Sequence, residues 1–444
     1  MAKERTLEEI KSKLKDGSAV VLTAQELCQM TQKGKKVKFK DVDVVTTATK
    51  GLMSGTSAIM AFRVSPPGKF KRVKSLSMND IPCYVGPAPN ETLGMVDLII
   101  YATDKSVSNP RYGAGHLLRE LVEGKPIKVK ATSIEGIKIE KTITIEDIYF
   151  AKMMGIRHCF RNYNSFVNPS DKPVKSIFTV LPLQPHTSEI TFCGCGVLNP
   201  LENDPHFDII GVGTPLLING AIGYVIGSGT RSSHPRPNLM TMAPLFDMKP
   251  EFMGGFVTSE GPEVIVSIGT AIPIINEKIF NNLKILDSRV PLNVVDIVGR
   301  KVLTSIDYGK VWHGPNYDHT FLVKINRQKC KECPLRSECP AEKYCPTDAF
   351  SSIHGIDRSR CFNCGTCIYT CTHGAVEGNL GEVEIQGKKI PIKLRESDRS
   401  GAIKLMNLLK KKVLNLEFPL ALPVAKPKIY VEKIENKRES VDEK

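Results

Sequence analysis

Eight cysteines crowded into residues 330–371 constrain this chain more than any other feature. They form two groups, Cys330-x2-Cys333-x5-Cys339-x5-Cys345-Pro346 and Cys361-x2-Cys364-x2-Cys367-x3-Cys371. Thiolates this closely spaced, on loops too short to bury a core, gain most by converging on a metal. An iron–sulfur cube needs four of them, and short spacings supply three from one loop. Zinc ribbons and disulfides are the competing readings. Zinc sites rarely compress four cysteines into such runs without a long intervening loop, and disulfides belong to oxidising compartments. The array predicts two 4Fe–4S clusters and one-electron chemistry at low potential.

The compartment follows from the first residues. MAKERTLEEIKSKLKDG is charged and helical in period, with no apolar stretch of the signal-peptide kind. No run approaches the roughly 20 apolar residues of a membrane helix. A cytoplasmic protein with no membrane partner is expected. Of thirteen cysteines, the five outside the array are Cys28, Cys83, Cys159, Cys193 and Cys195. The net charge of +14 comes from 61 basic and 47 acidic residues, scattered and interleaved apart from a short run at Lys410–Lys412. Without an RNA-binding aromatic motif or a zinc-finger histidine pair, nucleic acid is not an expected partner. Part of the excess charge suits an anionic substrate or an acidic redox partner.

A chain of 444 residues exceeds one ordinary core. Residues 7–15 have helical spacing at Leu7, Ile10 and Leu14, and Thr23 with Glu26 forms a capping box that opens a second helix carrying Cys28 on its core face. Residues 43–47 and 95–102 read as buried strands, 115–124 and 144–154 as helices. From 175 to 275, short apolar runs between Gly, Asn and Pro turns (FTVLPL, FDIIGVG, TPLLING, AIGYVIG, VIVSIGTAIPII) read as strands. The expected fold is mixed α/β over residues 1–323. Composition shifts to Cys, Pro and Arg over 324–375, then back to a hairpin at 382–393 turning at Gly387 and a helix capped by Asp398. Residues 426–444 read as a flexible tail.

The cysteine spacing resembles bacterial two-cluster ferredoxins over about 50 residues, where the fourth cysteine of each group serves the other cluster. That resemblance implies a small α+β domain with one cluster on Cys330, Cys333, Cys339 and Cys371, the other on Cys361, Cys364, Cys367 and Cys345. The first group is stretched by a few residues, and Thr372 stands where proline is usual.

The front of the chain is similar to a second family. The residues that carry this are Val44-Val-Thr-Thr-Ala-Thr-Lys-Gly-Leu-Met-Ser54, Tyr112-Gly-Ala-Gly-His116, Cys159-Phe-Arg-Asn-Tyr163, Asn199-Pro-Leu-Glu-Asn-Asp-Pro205, Gly211-Val-Gly-Thr214, Asn219-Gly-Ala-Ile-Gly-Tyr224 and Ile268-Gly-Thr-Ala-Ile-Pro273. Together they resemble the homocysteine biosynthesis enzymes, the L-aspartate semialdehyde sulfurtransferases of archaea and anaerobic bacteria, and within them the methanogenesis marker 16 metalloprotein lineage. Gln386-Gly-Lys-Lys-Ile-Pro391 through Pro419 resembles the C-terminal piece of that family. Residues 376–425 would then complete the large domain, and the cysteine array would be an insertion tethered at both ends.

The resemblance implies a sulfurtransferase that turns a small anionic aldehyde into a thiol. The sulfur would come from a sulfide or persulfide donor and the electrons from a low-potential donor through the clusters. Aspartate semialdehyde to homocysteine is the family default; sulfoacetaldehyde to 2-mercaptoethanesulfonate, coenzyme M, is the reaction the methanogen lineage suggests. An electron-transfer or sulfur- or metal-delivery accessory of cofactor assembly is the alternative class. Relatives carry cysteine at the position of Ser54 and another after the Tyr112–His116 motif, and both are absent here. Candidate catalytic residues are therefore Cys159, Cys193, Cys195, Ser54 and His116. Phe192-Cys-Gly-Cys-Gly196 offers two thiolates to a third cluster or metal, joined by Cys159 or Cys83, or one persulfide. Arg111, Arg157 and Arg161 are candidates for the anionic tail, because a guanidinium forks onto a carboxylate or sulfonate. The oligomeric state stays open, a homo-oligomer included.

Overall fold

A computed structural model describes residues 4–86, 92–312 and 323–429 of the chain. Both predicted capping boxes form. Thr6 and Glu9 close the start of helix Leu7–Asp16, and Thr23 and Glu26 that of helix Ala24–Gln32. The first helix ends at Gly17 with φ 78°, a left-handed cap that glycine adopts without a Cβ penalty. Leu7, Ile10, Leu14, Leu27 and Cys28 face the core.

The body is mixed α and β, with several sheets. The largest has 14 strands. At its heart Val44–Leu52 runs antiparallel to Gly261–Pro273, with Thr47 opposite Thr270. Both strands are buried almost throughout. A strand covered on both faces needs β-branched and small residues instead of apolar–polar alternation, and VVTTATKGL supplies them. Helix Arg399–Leu414 covers one face of this pair. Helix Ala114–Val122 lies against Gly254–Thr258 and Gly261–Pro273. The approach is close enough that a Cβ on Gly115 would stand 3.0 Å from the Gly254 carbonyl.

A six-stranded sheet follows the order Val302–Asp307, Pro291–Asp296, Ser165–Val167, Ile190–Phe192, Lys388–Arg395, Glu382–Ile385. The last two form the expected hairpin, turning at Gln386 and Gly387 with φ 52° and 77°. Lys388–Arg395 runs parallel to Ile190–Phe192, with Phe192 opposite Arg395. This register delivers residues 396–398 to the loop that follows Phe192.

Three expectations are corrected. Residues 144–154 are not a helix: a single turn at Ile145–Asp147 leads into strand Ile148–His158, held between Thr56–Arg63 and Leu239–Pro244. Apolar periodicity there was ambiguous, and pairing on both edges decides it. FTVLPL forms only an isolated bridge, Val174 to Leu183. FDIIGVG is a loop wrapped on Asp204, whose carboxylate accepts the N–H groups of Asp208, Ile209 and Ile210 at 2.6–2.9 Å.

The cysteine segment is built from short helices, Arg327–Lys331, Pro340–Lys343 and Thr366–Thr370, and two two-stranded ladders. It does not carry a core of its own. Ala341, Cys345, Ala349, Phe350, Val376 and Leu380 belong to the apolar cluster that also contains Val44, Ile272 and Leu405. The 426–444 tail lies, from residue 430 onward, outside the described residues.

Candidate active site

The loop Cys193-Gly-Cys-Gly196 is held on every side. Tyr308 Oη donates to the Cys193 carbonyl at 2.5 Å and Trp312 Nε1 to that of Gly194 at 3.1 Å. The Gly194 N–H donates to Ser397 Oγ at 2.6 Å, and the Gly196 N–H to Asn162 Oδ1 at 3.1 Å. Gly194 has φ 114°, and a Cβ there would stand 2.2 Å from Tyr308 Oη, so the position requires glycine. Asn162 arrives through a strained turn: strand Ile148–His158 is followed by Cys159 at φ 50° and then by Asn162 at φ 59°. A non-glycine residue in that region costs free energy that surrounding contacts must offset.

The result is a cleft of about 300 Å³ lined by Ser54, Arg157, Tyr163, Cys193, Arg231, Glu263 and Glu396 among others. The Cys193 thiol donates to Glu396 Oε2 at 3.1 Å. Burial, then the neighbouring Glu396 carboxyl, pushes this thiol well up from its ordinary value. Glu396 is 3% exposed. Its carboxyl is pushed far above the usual range, first by burial and also by Glu263, with Arg300 opposing. Glu263 is 6% exposed, and its carboxyl is raised by burial while the nearby Ser54 hydroxyl pulls it down. One oxygen on each acid, Glu396 Oε1 and Glu263 Oε2, has no hydrogen-bond partner. Arg157 is lowered by burial and by the cations Arg231 and Arg236, and its Nε is buried without a partner. Crowded, partly desolvated guanidiniums favour an anion between them.

Of the residues proposed from sequence, the cleft gathers Cys193, Ser54 and Arg157. The others lie elsewhere. Cys159 is fully buried in the apolar cluster that holds Met153 and Leu201, and burial drives its thiol far up. Its contribution to the cleft is the turn that carries Phe160, Asn162 and Tyr163. Cys195 is fully buried, and its thiol approaches the Lys50 carbonyl at 3.7 Å. Cys83 is on strand Ile81–Val85, pushed up to about 12 by burial. Cys195 belongs to one apolar cluster, Cys159 and Cys83 to a second, and Cys193 to a third. Arg161 is paired with Glu202 at 3.3 Å. Arg111 reaches the Cys345 carbonyl at 3.0 Å and Asp348 at 3.4 Å, and so braces the cysteine segment. His116 accepts from the Gly113 N–H at 3.1 Å and lines a second, small cavity with Asp348 and Arg360. Burial depresses it to about 4. Glu263, Glu396 and Arg231 had no sequence signal, since Glu396 is 203 residues from the thiol it touches.

Seven of the eight array cysteines fall into two neighbourhoods. Cys330 feels Cys339 and Cys371, whereas Cys361, Cys364 and Cys367 each feel Cys345. Among the described residues no three Cys, His, Asp or Glu side chains form a group for a single metal ion. A tetrahedral zinc, with Zn–S near 2.3 Å, draws its sulfurs to about 4 Å of one another. A cube spreads four thiolates over its corners. The second neighbourhood touches the cleft wall. The Arg395 N–H, one residue before Glu396, donates to the Cys364 carbonyl at 3.1 Å. Cys364 also packs in a small apolar cluster with Leu394 and Leu52, the latter a cleft residue.

A buried thiol hydrogen-bonded to a buried carboxyl, under a cationic rim, is an enzyme's arrangement. A family described as homocysteine biosynthesis enzyme, sulfur-incorporation, matches residues 19–420, and the chain belongs to that family. An uncharacterized protein of Methanothermobacter thermautotrophicus is 43% identical over 94% of both chains. Another, from Methanocaldococcus jannaschii, is 41% identical over 90% of this chain and 98% of its own. The L-aspartate semialdehyde sulfurtransferase of M. jannaschii is 32% identical over 66% of this chain and 58% of its own. No solved structure matches the chain.

Proposed function

We propose that the protein is a reductive sulfurtransferase that converts a small anionic aldehyde, sulfoacetaldehyde or aspartate semialdehyde, to its thiol. The observation that carries this is the Cys193 thiol, bonded to Glu396 in a cleft rimmed by Arg157 and Arg231. Sulfur arrives as a persulfide on Cys193, from a small persulfide donor. The terminal sulfur adds to the aldehyde carbon, and the carbonyl oxygen takes the persulfide proton, giving Cys193–S–S–CH(OH)R. Two electrons and two protons split the S–S bond, which restores the Cys193 thiol and leaves HS–CH(OH)R. Two more electrons and two protons give HS–CH2R and water. Glu396 exchanges the proton with Cys193, while Arg157 and Arg231 hold the anionic tail and aim the aldehyde at the sulfur. Two 4Fe–4S clusters on the array cysteines would supply these electrons one at a time. The set on Cys345, Cys361, Cys364 and Cys367 would be the nearer to the cleft, since Cys364 touches its wall.

Anaerobic assay with a small persulfide donor, a low-potential reductant and each aldehyde in turn tests this. At least one aldehyde should yield its thiol, and Cys193→Ser should lower the rate by about a hundredfold or more. Cys195→Ser should stay within a few-fold. No thiol from either aldehyde, or a Cys193→Ser enzyme of unaltered rate, sinks the reading.

A further inference from the structure

The cleft holds more acid than a thiol needs. Glu396 already partners Cys193, yet Glu263 faces the same space from strand Gly261–Pro273, close enough to raise the Glu396 carboxyl. The two acids come from elements 133 positions apart in sequence, brought together because the 396–398 segment crosses the end of the Val44–Leu52 pair: Gly51 bridges Ser397. Each keeps one carboxyl oxygen buried and without a partner. Leaving a buried carboxyl oxygen unpaired is costly when that carboxyl is ionised and much less so when it carries a proton.

We propose that Glu263 and Glu396 are a proton-holding carboxyl pair that supplies the two protons consumed when the adduct HS–CH(OH)R becomes HS–CH2R and water. This rests on the proposed sulfurtransfer. In that step the C–O bond breaks and a C–H bond forms. One proton converts the departing hydroxyl to water, and the other joins carbon with the electron pair from the low-potential donor. The demand is two protons in a cleft walled by apolar residues, and two acids stand there. Ser54, beside Glu263, lies where it can pass a proton between that acid and the substrate hydroxyl. Other groups facing the pair are the Cys193 thiol, Arg300 opposite both Cys193 and Glu396, and Arg157 and Arg231 in the cleft wall. These cations oppose protonation, and burial outweighs them because it acts on both acids at once.

Two measurements test the pair. The first needs no turnover: infrared difference spectra of the whole protein at pH 7 should show the carbonyl stretch of protonated carboxyls, with one component lost in Glu263→Gln and another in Glu396→Gln. A wild-type spectrum in which both are carboxylates overturns the proposal, and it does so even if either variant fails to fold. The second is a partition of the reaction. Glu263→Gln should still release the Cys193-bound sulfur onto the aldehyde, but thiol formation should fall by about tenfold or more, with the deficit widening as pH rises. A Glu263→Gln enzyme with unchanged thiol yield and pH profile overturns the proton-supply role. If the wild type makes no thiol while the infrared bands are present, the sulfurtransfer reading has failed, and the proton-supply role falls with it; the protonated pair itself stands.

Discussion

At the scale of single residues, the cleft's chemistry sets a pH signature on stability. The Glu396 carboxyl sits well above its ordinary value of 4.5 because it is buried beside Glu263. The folded protein then keeps a proton that the unfolded chain releases near that value. Above it the unfolded state binds fewer protons, so stability falls as pH rises until the folded group also ionises. Glutamine carries no such penalty. Glu396→Gln should therefore gain melting temperature relative to wild type as pH goes from 5 to 8, measured by thermal scans at matched ionic strength. A difference that stays flat across that range would show that Glu396 is ionised in the folded protein. Sequence reading stops short at this scale. Cys193 stood out because glycine flanks a C-x-C, but nothing near Glu396 marks it as a cleft acid. In Arg395-Glu-Ser-Asp only Asp398 carries a local signal, as a helix cap, and it is the parallel pairing of Ile190–Phe192 with Lys388–Arg395 that brings Glu396 to the cleft. Arg161 is drawn to Glu202, a carboxylate partner invisible until the chain is folded.

At the scale of elements, helix Arg399–Leu414 depends on one aspartate that does three jobs. Asp398 caps the helix through the Gly401 N–H at 3.0 Å. It pairs with Lys50 on the core strand at 3.0 Å, both side chains under 9% exposed. It also accepts from Asn363 of the cysteine segment at 3.3 Å. Asp398→Ala leaves the Lys50 ammonium buried and uncompensated, which costs about 3–5 kcal/mol, with about 1 kcal/mol more from the lost cap. Denaturant unfolding should show this loss. Lys50→Met in the Asp398→Ala background should recover a good part of it, because the penalty is the stranded charge. A double variant no more stable than the single would place the cost in the cap and the Asn363 contact instead. Capped helices such as this one were legible in advance, since Asp398, Thr6 and Thr23 are local signals. Strand Ile148–His158 was not, because what fixes it is pairing to two segments some 90 residues away on either side.

At the scale of the molecule, the cysteine segment is fastened to the body on several sides. Arg111 holds the Cys345 carbonyl, Arg119 holds Ser359, Val257 N–H donates to the Pro346 carbonyl, and Phe256 meets Phe362 edge to face at 5.2 Å. Its apolar residues lie in the body's own core cluster. Segments that share a core unfold together. If the proposed clusters organise the array, their loss removes a native-state ligand and lowers the stability of everything coupled to it. Oxidative or chelating removal of iron should then shift the melting of the whole chain downward as one cooperative transition, followed by circular dichroism for the sheets and by absorbance for iron release. An inserted module that merely sits on the surface would behave otherwise: iron loss would open a separate early transition and leave the main one in place. The distinction bears on function, because the Arg395–Cys364 hydrogen bond lies one residue from Glu396. In a coupled array the proposed electron path and the position of the acid that partners Cys193 would be fixed together, so iron loss should loosen the burial of that thiol: Cys193 should react faster with a small alkylating agent in the iron-free protein than in the iron-loaded one.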